Sequence, residues 1–383
     1  MYFKINSEKS RFSAIPLLRM KKYFLFSALF YTLLPGLNFA QIGGKSAFSF
    51  MKLPFSARAE ALGGRAYSVL DDDVSLYLQN PSLINPNMHH NLSIGYESYF
   101  AGTHIGSVSY ARHFDKIGTF AGGIQYINYG RFVAADEAGN VYGKFTAADY
   151  MISGGMSREI GKLFRIGANM KLAVSQYESY NALALGFDIG ASYVSKSRLF
   201  VTSLVLRNAG VQLKNFSQGI REPLPLEFSF AASHEFGKVP IRLSVVAHNL
   251  QQPDMSYINP QDANQLDLSG NPIPNKPKLS QQIMSHFAIG AEIFPFKKLI
   301  SLRMAYDFMR RYEMKADARS GTVGLSWGIG LKIHRFELNY SRNAYHLAGS
   351  PNVLNLNIKL GPMPKFSLKR KKEKESDPNL KKE

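Results

Sequence analysis

From Asn91 to Gly361 the chain repeats one pattern: a run of alternating apolar and polar residues, then a break. In the clearest run, Phe164, Ile166, Ala168, Met170, Leu172 and Val174 fall on one side, while Arg165, Gly167, Asn169, Lys171, Ala173 and Ser175 fall on the other. A strand turns successive side chains to opposite faces, so a period of two over this length puts one face in oil and the other in a polar space. The pattern recurs. Ile300, Leu302, Met304, Tyr306 and Phe308 oppose Ser301, Arg303, Ala305 and Asp307. Val323, Leu325, Trp327, Ile329, Leu331 and Ile333 oppose Thr322, Gly324, Ser326, Gly328, Gly330 and Lys332, and Leu354, Leu356, Ile358 and Leu360 oppose Asn355, Asn357 and Lys359. A soluble sandwich would bury its apolar faces against one shared core in fewer, shorter strands. This many apolar faces fit an all-β outer-membrane antiparallel β-barrel, which satisfies every backbone polar group by closing on itself.

The spacing predicts about fourteen strands, near 91–100, 104–114, 118–132, 148–160, 163–180, 181–196, 199–213, 224–237, 240–250, 281–296, 299–312, 321–333, 335–347 and 353–361. The breaks alternate too. Short turns such as Gly161-Lys162 and Phe296-Lys297-Lys298 follow even-numbered strands, whereas 133–147, 214–223, 251–280, 313–320 and 346–352 read as longer loops after odd-numbered ones. Short periplasmic turns and long outer loops are the usual asymmetry of such barrels.

The ends lie outside this pattern. Residues 1–40 read as an upstream extension and a signal peptide: Lys21 and Lys22, an apolar run from Tyr23 to Leu34, then Pro35-Gly36 and Ala40-Gln41. Met20 is an alternative start. Residues 362–383 read as a basic, disordered periplasmic tail. The net charge of +18 is therefore not a nucleic-acid signature, because half of it falls in these two segments and no basic, aromatic-studded face accompanies it. The absence of cysteine excludes disulfides, thiolate metal sites and cysteine nucleophiles.

Residues 41–90 lack strand alternation and read as a short N-terminal plug containing helical turns, with a helix over Ser56–Leu62 stopped by Gly63-Gly64 and a turn over Val74–Gln79 ending at Asn80-Pro81. The acids Asp71, Asp72 and Asp73 suit a helix N-terminus better than a divalent cation.

The plug residues Gly43, Gly44, Phe48, Leu53, Pro54, Ser56, Ala57, Arg58, Gly63, Gly64, Asp71, Asp72, Asp73, Asn80 and Pro81 resemble the start of the PorQ family, outer-membrane barrel components of the type IX secretion system of Bacteroidota. That family is similar in turn to PorV and to FadL-type barrels with fourteen strands and an N-terminal plug. The resemblance implies a non-enzymatic barrel in the cargo attachment complex, beside a PorZ-like propeller, the PorU sortase and the PorV barrel. A FadL-type channel for hydrophobic solutes is the alternative function.

No catalytic, cofactor or metal set emerges. Ser49-Phe50-Met51-Lys52 matches a Ser-x-x-Lys motif without its partner motifs, and His89-His90 is adjacent rather than at ligand spacing. Parity points Arg165, Lys171, Asp188, Glu227, Glu235, Arg242, Glu292, Arg303, Asp307 and Glu337 inward. With both signs interleaved, these suit ion pairs that brace the wall better than a conduction path. The proline-rich loop from Gln251 to Ser280, with Asp254, Tyr257, Pro260, Asp262, Asp267 and Pro272, is the first candidate for partner docking, and the loop holding Phe216 and Arg221 is the second.

Overall fold

The computed structural model describes residues 46–217, 221–255, 278–296, 299–313, 321–344 and 349–361. The signal segment, Gly43, Gly44, the basic tail, and Tyr257, Pro260, Asp262, Asp267 and Pro272 lie outside the described residues.

Fourteen antiparallel strands form one closed barrel in simple meander order. They are β1 (Asn91–Ser98), β2 (His104–Phe114), β3 (Gly118–Ala135), β4 (Val141–Ile160), β5 (Phe164–Tyr177), β6 (Tyr180–Val194), β7 (Phe200–Lys214), β8 (Glu227–Glu235), β9 (Ile241–Ala247), β10 (Phe287–Ile293), β11 (Ile300–Asp307), β12 (Leu325–Ile333), β13 (Phe336–Asn343) and β14 (Asn352–Lys359). Pairing of β1 with β14, from Asn91↔Lys359 to Ser98↔Asn352, closes the ring.

Burial around the wall is inverted relative to a soluble protein. Ile152, Met170, Ile189, Leu204, Met304 and Trp327 are exposed, while Gln125, Lys171, Asp188, Glu292, Arg303 and Asn339 on the other face are buried. Water would penalise the first set and oil the second, so the outer face is the lipid face. Aromatic pairs lie on it: Tyr126 with Tyr150 at 4.9 Å toward the long-loop end, and Phe114 with Phe120 at 5.7 Å toward the short-turn end. No helix among the described residues is long and apolar enough to cross a membrane; the strands do the crossing.

Wall height is uneven, and here the sequence-based boundaries need correction. β3 has 18 residues and β4 has 20, whereas β9 and β10 have 7 each. Most of the expected 133–147 loop is strand, leaving only 136–140 as connection. The expected strand at 281–296 begins instead as a helix, α2 (Leu279–Ser285), and that at 299–312 ends as a helix, α3 (Phe308–Glu313), so Phe308 is not a strand residue. Val323 is buried rather than lipid-facing, because Gly324 (φ +91°) turns the chain before β12 begins at Leu325. These errors cluster at strand tips, where no bilayer enforces alternation.

Residues 46–90 pack inside the ring. One helix, α1 (Ala57–Ala61), is capped by the Ser56 side chain, which accepts from the Ala59 amide, and is closed by Gly63 and Gly64 at φ +77° and +82°. Three single 3₁₀ turns follow at Val74–Leu76, Pro81–Leu83 and Pro86–Met88. Each is capped two residues on by an Asx side chain, from Asp73, Asn80 and Asn85 respectively. Such turns satisfy their own backbone groups, which lets an irregular segment lie buried.

The lipid face yields a test. Met170 is mid-strand on β5, so Met170→Arg should lower barrel stability by about 2–4 kcal/mol, while arginine at Gln176, nearer the rim, should cost about 0–1 kcal/mol. Urea unfolding in lipid vesicles measures both.

Candidate functional site

The inner surface has two characters. On β2 to β6, Ile105, Ile127, Met151, Ala173 and Ala184 join Phe48, Phe50, Met51, Phe55, Tyr77 and Met88 of the plug in one buried apolar cluster, with Leu53 and Phe216 packed against it, among buried polar residues such as Gln125, Asp149, Asn169 and Lys171. On β7 to β13 the surface is charged, and there the plug is held by ion pairs.

Glu292 on β10 is the centre of that charged half. Its carboxylate accepts from Arg58 of α1 at 2.9 Å, from Arg242 of β9 at 2.7 Å and from Arg303 of β11 at 3.0 Å, and it is buried. Arg58 also reaches Asp71 at 2.8 Å and approaches Asp73 at 3.9 Å, and Arg242 reaches Glu235 at 2.6 Å. Arg303 continues to Asn339 at 2.6 Å and Glu337 at 3.7 Å, and Lys332 binds Asp72 at 2.8 Å. Alternating signs repay the desolvation of these groups only because nearly every one has a partner. Burial works to raise the Asp71 carboxyl, but Arg58 and then Arg242 outweigh it and hold it well below the usual carboxylate range. Burial, then the neighbouring Asp71 charge, raise Asp72, against the pull of Lys332. Asp73 caps the Val74–Leu76 turn and also accepts from Asn357 at 2.9 Å.

A second cluster lies beside it. Tyr67 donates to Glu227 at 2.8 Å and accepts from Arg207 at 2.7 Å, with the Arg207 guanidinium 5.4 Å from the Tyr67 ring centre. Arg65 pairs with Asp307 and lies 4.0 Å from Glu227. In the wall itself, Lys171 on β5 binds Asp188 on β6 at 2.7 Å and Asn208 on β7 at 2.8 Å. Asn208 sits at φ +57° in a register shift between β6 and β7, and its amide donates to Asp188 at 2.8 Å. Asparagine tolerates this left-handed conformation better than most residues.

The plug also bonds to the wall through its backbone. Arg165 donates to the carbonyls of Ser82 at 3.0 Å and Ile84 at 2.7 Å and pairs with Glu159. Asn355 accepts from the Ala57 amide at the start of α1. The Asn80-Pro81 turn presses on two wall glycines: a Cβ at Gly167 would lie 2.4 Å from the Pro81 carbonyl, and one at Gly190 would lie 2.2 Å from the Asn80 Oδ1. Pro54 accepts from Gln79 through its carbonyl at 3.3 Å, tying one end of the plug to its middle.

All ten inward candidates therefore lie on the inner face, but in three groups rather than one, with Arg165 apart from them on the Ser82 and Ile84 carbonyls. Of the docking candidates, Phe216 stacks on Tyr177 at 5.3 Å and Phe48 at 6.1 Å, so its ring is used to cover the plug. Asp254 and Arg221 are exposed. Sequence reasoning missed Arg65, Tyr67 and Arg207. Parity could have found Arg207, two residues beyond the buried Val205 on β7; nothing periodic marks the other two. His89 and His90 have ring centres 4.0 Å apart, and His90 bonds Tyr110 at 2.7 Å. Among the described residues no group of three or more His, Asp or Glu is placed to hold a metal ion.

No protein-family model and no curated protein matches the chain. Solved structures similar to it include the Ralstonia pickettii toluene transporter TbuX, at 11% identity over 82% of this chain and 98% of that one, with a TM-score of 0.48. Two others are the P. putida toluene transporter TodX (11%, 79% and 98%, 0.45) and a Pseudomonas aeruginosa FadL homologue (12%, 79% and 98%, 0.43). Likeness at this level decides neither cargo nor partner.

Three tests follow. Glu292→Gln leaves three guanidinium groups around a neutral amide and should lower stability by about 3–5 kcal/mol, measured as the temperature at which the folded band is lost on gels. Gly167→Val should displace the Asn80-Pro81 turn and raise hydrogen exchange in 80–84 while β5 itself stays protected. The depressed Asp71 group stabilises the plug fully above its unfolded pKa of about 3.9 and loses that contribution as pH falls through the folded value. Plug protection should therefore hold from pH 7 to about 5 and weaken below about 4, and Asp71→Asn should flatten that profile.

Proposed function

We propose that this chain is a non-enzymatic, plugged outer-membrane barrel that anchors surface partners of a type IX secretion attachment complex. The observation that carries the scaffold reading is the convergence of Arg58, Arg242 and Arg303 on Glu292. A conduit needs a lumen whose contents move or part. Here the plug is held to at least three strands by Arg58–Glu292, Arg65–Asp307 and Asp72–Lys332, and breaking a buried ion pair costs several kcal/mol. The lumen residues Arg165, Lys171, Asp188, Glu227, Arg242, Glu292, Arg303, Asp307 and Glu337 act as braces in this reading.

The secretion system itself comes from the resemblance of the plug segment, and so do the PorZ-like propeller, the PorU sortase and the PorV barrel as partners. Docking falls to the long-loop end, which in barrels of this class faces the cell exterior.

One observation favours a channel for hydrophobic solutes as the second reading: the apolar cluster inside the barrel includes Phe48 and meets the aromatic stack of Phe48, Phe216 and Tyr177. Reconstitution separates the two. A scaffold should give planar bilayers no conductance steps and should give vesicles no faster uptake of a monoaromatic hydrocarbon than protein-free controls. Uptake above control that rises further in Glu292→Gln would reverse the ranking. Deleting 254–278 should abolish copurification of the surface partners from outer membranes; unchanged recovery would remove that loop from the docking site.

A further inference from the structure

The β3–β4 hairpin is taller than a membrane requires. A transmembrane strand needs about 9–11 residues, whereas these have 18 and 20. The Tyr126–Tyr150 pair lies where lipid-facing residues give out on the long-loop side, and the hairpin continues well past it. β2 pairs with β3 only as far as His104↔Asn128, and β5 pairs with β4 only as far as Ala147↔Tyr177. Beyond those points the two strands pair with each other from Arg131↔Thr146 to Ala135↔Val141, with one further bond from the Glu178 amide to the Thr146 carbonyl on the β4 side.

The outer edge of β3 over 131–135 is therefore an open ladder. Among the described residues its backbone bonds only to β4. Proteins usually shorten or cover such an edge, because it accepts any extended chain. This one is stiffened instead. Phe132 and Phe145 stack at 5.2 Å across the hairpin, and the turn is closed by Asp136 accepting from the Asn140 amide at 2.7 Å and from its side chain at 2.9 Å. A register shift after Asn128 separates the edge from the barrel wall below.

Its side chains say what kind of chain would fit. By register, Arg131, Val133, Tyr142 and Lys144 share one face, and Val133 and Tyr142 are 59% and 72% exposed beyond the reach of the lipid tails. Arg131 and Lys144 are diagonal neighbours on that face, both exposed, with no ion pair among the described residues. Of the two acids in the turn, Asp136 and Glu137, the first is already engaged by Asn140.

We propose that the β3 edge over 131–135 is a docking strand that receives an extended segment of a surface partner protein, one alternating acidic and apolar residues. Backbone hydrogen bonds to the open ladder supply the affinity, Val133 and Tyr142 cover the apolar positions, and Arg131 and Lys144 select the acids. The rigid hairpin keeps the ordering cost on the partner's side alone. This inference rests on the scaffold reading and adds the place and chemistry of one contact.

Hydrogen exchange on the full-length barrel, alone and in the complex that copurifies with it from outer membranes, tests the proposal. Backbone exchange at 131–135 should slow about tenfold or more in the complex, because amides in a formed ladder exchange only on opening. The double variant Arg131→Glu, Lys144→Glu should keep the folded, heat-resistant barrel while losing about tenfold in recovery of that partner. Equal exchange at 131–135 in free and bound barrel, or protection confined to 141–145, would overturn the assignment with the scaffold reading intact. Failure of any surface protein to copurify with the unaltered chain would sink the scaffold reading itself. Loss of bound lipopolysaccharide in the double variant, with partner recovery unchanged, would make this face a lipid-phosphate contact and also overturn the proposal.

Discussion

A bilayer offers no water to an unpaired peptide group, and everything else in this molecule follows from that constraint. A sheet can satisfy it only by returning its last strand to its first, which the β1–β14 ladder does. Closure around fourteen strands creates an interior too wide for wall side chains to fill. That space must hold either water or more protein. The chain supplies protein, in a segment whose helix and the three 3₁₀ turns after it are capped locally, while wall side chains such as Arg165 and Asn355 meet other backbone groups.

The contents of the lumen follow from the same logic. Charged residues on the inner face are costly unless paired, and the plug brings Arg58, Arg65, Asp71 and Asp72 to meet them. Each pair is weak evidence of net stability, since hydrophobic substitutes could match it. Their collective effect is on specificity: a shifted plug would separate Arg58 from Glu292, on which Arg242 and Arg303 also converge.

The β-barrel class, the strand number and the inward set from Arg165 to Glu337 could all be read from the chain, because a strand's side-chain period is two and the bilayer enforces it on every residue that crosses. Where enforcement stops, legibility stops. The expected loop at 133–147, the strand start at 281 and the strand end at 312 all failed above the lipid, where alternation no longer distinguishes a projecting hairpin from a loop or a helix. Arg65 and Tyr67 were invisible for a related reason: a buried coil has no period, so nothing in its spacing marks which residues reach the wall.

The sequence by itself determined which face each membrane-crossing residue takes, since that depends on neighbours one or two positions away, and that the chain must close, since a bilayer leaves no sheet edge solvated. Only the tertiary structure decided that Arg58 meets Glu292, 234 positions distant, that Asn80-Pro81 rests on Gly167, and that β3 over 131–135 bonds, among the described residues, to β4 alone. Those are distances through space. They are set by how the plug seats in a closed ring, and no local pattern of residues encodes them.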